Sequence, residues 1–281
     1  MKVFICANLS KEKTKATVAE VCTELLKIDF VPMLENKYSS VFNAEGAVFS
    51  DTESLISECD MFLTVGGDGT ILKWGRRAAV AGKPLLGINT GRLGFMATLE
   101  HNELYKLTRL KTGEYTVSRR MLLDIINGDN DRYLAVNEVV FSKNRYAKLT
   151  EFCVCAGEFE VTRIRADGII FSTPTGSTAY SLSAGGPIIS PDAECIEFTP
   201  LCAHSLFGRP MIFSASSEIT VRFTGYEDSR VILSVDGDDD IDFIEGEIVT
   251  IKKSDLSLAL IDIDGGSFYS AVHNKLMKPL K

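Results

Sequence analysis

The chain has 281 residues, a formal net charge of −8, 45% hydrophobic residues and 24% charged ones. This is the balance of an ordinary globular protein with room for two domains or one large one. It argues against a broad nucleic-acid surface, though a local pocket of cations or backbone donors can still take an anion. The start, Met1 to Ala7, is too short an apolar run for a signal peptide, and Lys11, Glu12, Lys13 and Lys15 follow at once. No later stretch approaches the roughly 18 apolar residues of a membrane span. A cytoplasmic protein with neither membrane nor nucleic-acid partner is expected. The 7 Cys are scattered, which fits reduced thiols. Cys153-Val154-Cys155 places two thiols on one strand face, and packing explains them better than half a zinc site.

The first third alternates strand and helix. Val3 to Ala7 reads as a buried strand, and Val18, Val21, Cys22, Leu25 and Leu26 form one helix face. Phe30 to Leu34 is a second strand, with Pro32 placing it near an edge. Ser50 and Glu53 have capping-box spacing for a short helix before the strand Met61–Val65. The helix after Thr70 should stop near Gly82, with Pro84 beyond it. A strand at Leu85–Ile88 and a helix over Glu100–Leu110 follow, the helix ending before Gly113. Such alternation implies a parallel sheet with helices on its faces.

Beyond Gly113 the runs are short and rich in strand formers: Tyr115–Val117, Met121–Ile126, Tyr133–Phe141, Phe152–Cys155 and Phe159–Arg165, with turns at Asn127-Gly128 and Gly157-Glu158. Later strands are expected at Glu218–Phe223, Arg230–Val235, Ile248–Ile251 and Leu258–Ile261, with one helix after Thr175 and another over Phe268–Met277. The expected fold is an α/β N-terminal domain, residues 1–113, plus a mostly-β C-terminal domain, residues 114–262. Residues 263–281 are expected to pack back on the first.

Gly66-Gly67-Asp68-Gly69-Thr70 joins a strand, a glycine turn and a helix start at one acidic residue. Glycines let backbone N–H groups approach a ligand, and a helix N-terminus favours phosphate. Asp68 can orient a hydroxyl, take its proton or approach a metal on phosphate oxygens; the plain alternative is a tight strand–helix turn. Asn89-Thr90-Gly91-Arg92-Leu93-Gly94-Phe95 leaves its strand in the same way, and Arg92 is either a phosphate contact or a surface arginine on a turn.

Asn137-Glu138 sits inside an apolar pattern. It either meets an adenine edge and ribose hydroxyls or makes ordinary strand-end hydrogen bonds. Asp167-Gly168 precedes a strand and then Thr173-Pro174-Thr175-Gly176-Ser177-Thr178-Ala179-Tyr180-Ser181, a hydroxyl-rich turn with one ring for stacking. No G-x-x-x-x-G-K-[ST] or G-x-G-x-x-G pattern occurs. His204 reads as structural or as a support behind site residues. Asp236-Gly237-Asp238-Asp239-Asp240 reads as a solvated hairpin tip, with Asp236 kept as a possible site residue.

Together these segments resemble the NAD kinase family: GGDGT at 66–70, NTGRLGF at 89–95, NE at 137–138, ADG at 166–168, STPTGSTAYS at 172–181, GGP at 185–187, HSL at 204–206 and SVDG at 234–237. GGDGT alone is shared with lipid kinases and, in related form, with phosphofructokinases; the hydroxyl-rich segment is more specific. The resemblance implies an active site between two domains, where the terminal phosphoryl group of ATP passes to the 2′-hydroxyl of the adenosine ribose of NAD. It makes Asp68 the group that orients and deprotonates that hydroxyl, with Gly66, Gly67, Thr70, Lys73 and Arg92 at phosphates and Gly69 beside them on the NAD side. Asn137, Thr175 and Thr178 would bind adenine, and Glu138 its ribose. Asp167, Ala179 and Ser183 would line the nicotinamide side, with Tyr180 packed on the nucleoside. Mg2+ or another divalent cation would travel with ATP, and the family's dimers or tetramers imply a homo-oligomer. Asp238 departs from the family's usual Gln. A lipid kinase and a nucleotide-binding module without turnover are the rival readings. The first lacks a basic amphipathic helix, and the second is opposed by the intact Asp68.

Overall fold

The computed structural model describes residues 1–9, 12–42, 45–91, 94–128, 131–143, 150–205, 208–225, 230–265 and 268–277. The chain divides into two compact units, Met1–Arg119 with Leu258–Lys281, and Arg120–Ser257.

In the first unit β1 (Lys2–Ala7), α1 (Glu12–Lys27), β2 (Val31–Glu35), β3 (Val48–Ser50), α2 (Thr52–Glu58), β4 (Met61–Gly66), α3 (Asp68–Val80) and β5 (Leu85–Asn89) follow one another. The strands are parallel in the order β3-β2-β1-β4-β5, so Pro32 lies one strand in from the edge. Val18, Val21, Cys22 and Leu25 of α1 cover one sheet face together with Val3, Ile5, Leu63 and Val65. On the other face Trp74 of α3 meets Phe4 edge-on at 5.2 Å and Phe62 at 6.4 Å. Gly82, at φ +65°, follows α3 as expected from its position before Pro84. The α2 cap is Asp51, not Ser50: its carboxylate accepts from the Ser54 N–H at 3.0 Å. The helix expected over 100–110 is shorter, because Leu99–Glu100 is drawn into the sheet as β6 beside β5. A 3-10 turn (Leu104–Leu107) and α4 (Thr108–Thr112) follow, and Gly113 closes α4 at φ +74°.

The second unit is two antiparallel sheets. Its strands are β7 (Thr116–Ile126), β8 (Arg132–Ala135), β9 (Glu138–Lys143), β10 (Thr150–Ala156), β11 (Phe159–Ala166) and β12 (Gly168–Ser172). After the four-residue helix α5 (Tyr180–Ser183) come β13 (Cys195–Leu201), β14 (Met211–Ser214), β15 (Ile219–Thr224), β16 (Val231–Val235), β17 (Asp239–Phe243) and β18 (Val249–Asp262). One sheet runs β14-β13-β12-β9-β16-β17; in the other, β10 lies between β11 and β15, and β15 pairs with the start of β18. Phe141, Phe171 and Phe198 from the first sheet share a core with Phe152, Val221 and Phe223 from the second. Val154 faces that core, whereas Cys153 and Cys155 lie half-buried on the outer face with their sulfurs 3.9 Å apart.

Several expected boundaries shift. The runs 115–117 and 121–126 belong to one strand, as do 248–251 and 258–261. The run 133–141 is broken at Val136-Asn137, where the chain leaves the β7–β8 pair for the β12–β9–β16 sheet. The helix expected after Thr175 is only a 3-10 turn and α5. Strands β13, β14 and β17 were not expected. The segment 268–277 is helical, with α6 (Phe268–Val272) continuing as one π turn, His273–Met277. Among the described residues, no helix is long and apolar enough to cross a membrane.

Candidate active site

In the first unit Gly67 is the N-cap of α3 and provides no side-chain cap; the Thr70 N–H closes back on the Gly67 carbonyl at 2.9 Å, and no side chain of the cap takes the N–H groups before it. Asp68, first in that helix, turns its carboxylate onto the backbone of the second glycine loop. Its Oδ2 accepts from the Phe95 N–H at 2.8 Å and its Oδ1 from the Met96 N–H at 3.3 Å. Gly94 makes this fit possible, since a Cβ there would lie 2.0 Å from Oδ1. Gly66 has a similar role: a Cβ on it would meet the Thr70 hydroxyl at 2.3 Å. The two glycine motifs of this unit are thus brought together around one carboxylate. Arg92 lies outside the described residues.

A cavity of about 540 Å³ opens on the other side of the same motif. It lies at the C-terminal ends of β1, β2 and β4, where ligands bind in open parallel sheets. Gly67, Gly69, Thr70, Lys73 and Trp74 line it, facing Asn8, Lys37 and Tyr38. A Cβ on Gly67 or Gly69 would meet nothing within 4 Å, so both backbones face open space. The Lys275 ammonium lies 3.9 Å over the Phe95 ring, next to the backbone that holds Asp68. Burial holds its pKa below the ordinary lysine value, and the Asp68 charge opposes that effect. Neither Lys275 nor the Lys37–Tyr38 wall carried a sequence signal.

In the second unit Asn137 and Glu138 lie where the chain changes sheets. The Asp236 carboxylate holds that corner by accepting from the N–H groups of Val136, Asn137 and Glu138 at 2.9, 2.8 and 3.1 Å. Asp236, kept as a site candidate from sequence, is therefore occupied with backbone. Asp238 lies at the exposed hairpin tip, where its N–H returns to the Val235 carbonyl. The hydroxyl-rich turn packs onto the same corner. Thr173 donates from its N–H to the Asn137 carbonyl at 2.8 Å and from its hydroxyl to the Val136 carbonyl at 2.7 Å. Gly176 approaches so closely that a Cβ would lie 2.2 Å from the Asn137 carbonyl oxygen.

This packing leaves Asn137 Oδ1, Glu138 Oε2 and Thr175 Oγ1 buried with no hydrogen-bond partner. Glu138 is 8% exposed, and its pKa is raised to about 8. Burial is the main cause, with the charges of Asp236 and Glu197 adding to it and an N–H from Tyr180 opposing it. Thr178, Ala179, Tyr180 and Ser183 continue from Thr175 over the next turn, with Tyr180 and Ser183 exposed. Asp167 is not part of this cluster. It lies beyond the opposite end of β12, paired with Lys143 at 2.5 Å, and the strand between spans about 13 Å. His204 is tied by its N–H to the Arg165 carbonyl at 2.7 Å. Glu197, fully buried beneath α5, was not singled out by the sequence.

Comparison with known families agrees with both halves of this picture. Residues 3–115 match the ATP-NAD kinase N-terminal domain, and residues 136–263 match the ATP-NAD kinase C-terminal domain. An NAD kinase of Symbiobacterium thermophilum is 38% identical over 224 residues, 78% of this chain and 79% of that protein. The crystal structure of yeast NADH kinase complexed with NADH superposes with a TM-score of 0.88 at 24% identity, covering 100% of this chain and 88% of that one, a likeness of fold. An Archaeoglobus fulgidus NAD kinase in complex with ATP superposes with a TM-score of 0.74 at 26% identity, covering 99% of this chain and 98% of that one. With both domain models matched along most of its length, the chain belongs to the NAD kinase family.

Proposed function

We propose that this chain transfers the terminal phosphoryl group of ATP to the 2′-hydroxyl of the adenosine ribose of NAD, giving NADP and ADP. The supporting observation is the trio of buried polar atoms without partners, Asn137 Oδ1, Glu138 Oε2 and Thr175 Oγ1. Each unpaired atom costs about 1–3 kcal/mol, and an adenine edge with its ribose hydroxyls supplies the missing partners. In this reading Asn137, Thr175 and Thr178 hold adenine. Glu138, which keeps its proton at neutral pH, offers a ribose hydroxyl both a donor and an acceptor. Tyr180 packs on the nucleoside. Ala179, Ser183 and Asp167 serve the nicotinamide side, and the place of Asp167 beyond the far end of β12 suits an extended dinucleotide.

Gly66, Gly67, Thr70, Lys73 and Arg92 serve phosphates and Gly69 lies beside them on the NAD side, with the cavity beside Lys73 on the donor side. Asp68 takes the proton of the 2′-hydroxyl as its oxygen bonds to the terminal phosphorus, and the bond to the bridging oxygen breaks to release ADP. Its two N–H contacts fix the carboxylate before substrate arrives. Among the described residues, no group of three or more His, Cys, Asp or Glu is placed to hold a metal. Mg2+ or another divalent cation would enter on the phosphates of ATP, where it neutralises charge. We place the protein in the cytoplasm as a homo-oligomer, dimer or tetramer; light scattering on the purified chain reads the assembly directly.

The test is NADP formation by the purified chain given NAD, ATP and Mg2+, with Asp68→Asn alongside. The expected result is NADP from the parent, and a kcat about 10²–10⁴-fold lower in a variant that still binds NAD. Near-normal turnover in the variant rejects Asp68 as the base. A folded parent that binds NAD but forms no NADP with any phosphoryl donor is a binding module instead.

A further inference from the structure

Beneath α5 lies a carboxylate that the reaction as described does not use. Glu197, in the middle of β13, is 0% exposed, and among the described residues no cation pairs with it. Three hydroxyls meet it instead. Its Oε1 accepts from Ser181 at 2.7 Å and Thr199 at 3.1 Å, and its Oε2 accepts from Ser172 at 2.9 Å. The Ser181 and Thr199 hydroxyl oxygens also lie 2.8 Å apart, close enough for either to donate to the other in place of the carboxylate.

These partners are not scattered. Ser172 ends β12, directly before the hydroxyl-rich turn, and Ser181, within α5, is the last residue of that turn. One side chain therefore clasps, at both ends, the segment that carries Thr175, Thr178, Ala179 and Tyr180, with Ser183 two residues beyond. The backbone closes over the clasp at Gly186, where a Cβ would lie 2.0 Å from Glu197 Oε1 and 2.4 Å from the Ser181 hydroxyl. Gly186 also donates its N–H to the Ser181 carbonyl at 2.9 Å. The second glycine of the GGP segment is thus accounted for by the carboxylate beneath it. Burial raises the Glu197 pKa, while Ser181, Ser172 and Thr199 oppose the rise as donors to the charged form.

Without the carboxylate the three hydroxyls keep other acceptors in part, since Ser172 has the Thr173 carbonyl at 3.2 Å and Ser181 and Thr199 have each other at 2.8 Å. What the carboxylate supplies is direction. Each hydroxyl has one proton, and the two carboxylate oxygens fix where those of Ser172 and Ser181 point and how the turn between them lies.

We propose that Glu197 is a positioning residue for NAD: by holding Ser172 and Ser181 it sets the turn 173–183 in its nucleoside-binding shape. The proposal rests on the reading that this turn binds NAD. Two readouts separate the two ideas. Hydrogen exchange of the ligand-free chain reports the shape of the turn without any nucleotide. The affinity for NAD and the KM for ATP report the consequence.

In Glu197→Leu, amides of residues 175–186 should exchange at least about tenfold faster while core strands β9 and β12 stay protected. The Kd for NAD should rise about 30-fold, the equivalent of about two hydrogen bonds, and the KM for ATP should stay within about threefold. Glu197→Gln should recover most of the affinity. Its amide oxygen still accepts from Ser181 and Thr199, and its NH2 donates to Ser172, whose own proton passes to the Thr173 carbonyl 3.2 Å away. Should Glu197→Leu fail to fold, Ser181→Ala breaks the clasp at one end and should weaken NAD about tenfold. Unchanged exchange in the turn overturns the positioning role whether or not NAD is the ligand. Faster exchange throughout the chain, or an equal loss toward NAD and ATP, overturns it in favour of a general structural role. Faster exchange confined to the turn with unchanged NAD affinity leaves the clasp standing and removes its link to NAD.

Discussion

Adding a single methyl group at Gly94 separates the position of Asp68 from its chemistry. An ideal Cβ on Gly94 would lie 2.0 Å from Asp68 Oδ1, 2.7 Å from Cγ and 2.9 Å from Oδ2. Ordinary contact begins near 3.4 Å, so either the loop or the carboxylate must move by about 1 Å or more. The side chain is held by N–H groups of the same loop, from Phe95 at 2.8 Å and Met96 at 3.3 Å, and any such movement strains both bonds. Hydrogen bonds to a charged group are worth about 1.5–3 kcal/mol each, so Gly94→Ala should lower stability by about 2–4 kcal/mol and leave the unit 2 core intact. A 1 Å misplacement of a reacting group lowers rate by about 10²-fold. The assay is steady-state NADP formation, with NAD affinity measured by calorimetry on the same preparation. We expect kcat to fall about 100-fold, with Kd for NAD within about threefold. A variant whose kcat stays within about threefold of the parent would falsify the claim that this loop positions the catalytic carboxylate.

Three further outcomes follow from the geometry. Glu138 is held protonated up to about pH 8 in the folded chain, against an ordinary value of 4.5, so its contribution to stability is complete below pH 4.5 and lost as pH rises through about 8. Melting of Glu138→Gln should therefore decline less than the parent between pH 5 and about pH 9; parallel curves sink the argument. Asp236→Ala strips three N–H groups of their acceptor and should cost about 3–5 kcal/mol in urea unfolding, with NAD affinity lost in parallel. Full NAD affinity in a destabilised Asp236→Ala would separate the corner from the site. Lys73→Ala, on the cavity wall, should raise KM for ATP about tenfold and leave KM for NAD unchanged; the reverse pattern assigns the cavity to the acceptor.

Much of the architecture could be read from local pattern. The α1 face, the strand β4 and the glycine turn into α3 follow rules of spacing that need no tertiary context. Strand β13 escaped because most of it is buried on both faces, so it lacks the alternation that marks a half-exposed strand. Acid-rich β17 looked like a solvated tip, and its pairing with β16 is what makes it a strand. The GGDGT motif and Asn137-Glu138 were visible because glycines and paired polar residues stand out in apolar runs. Lys275 was not, since only tertiary packing brings it to Phe95. The position of Asp236 after a strand is visible locally, but its backbone partners about a hundred residues earlier are not. Glu197 shows the same limit, with its clasp assembled from Ser172, Ser181 and Thr199 across two strands and a helix.

The order in which the chain is made sets a schedule for its assembly. Unit 2 is one continuous stretch, Arg120–Ser257, and can condense as soon as it has emerged from the ribosome. Unit 1 is made mostly first and finished last. Its core includes Ile261 and Ile263, and Leu260 pairs with Leu85 only after the whole of unit 2 has been synthesised. Strand β6 covers the Ile88–Asn89 end of β5 early, but the Leu85 end must wait through that interval as a short open parallel edge, the kind of surface on which nascent chains aggregate. Chains stalled or clipped before Leu258 should carry a folded unit 2 beside an unfinished unit 1, and chaperone demand should concentrate on the amino-terminal half despite its head start.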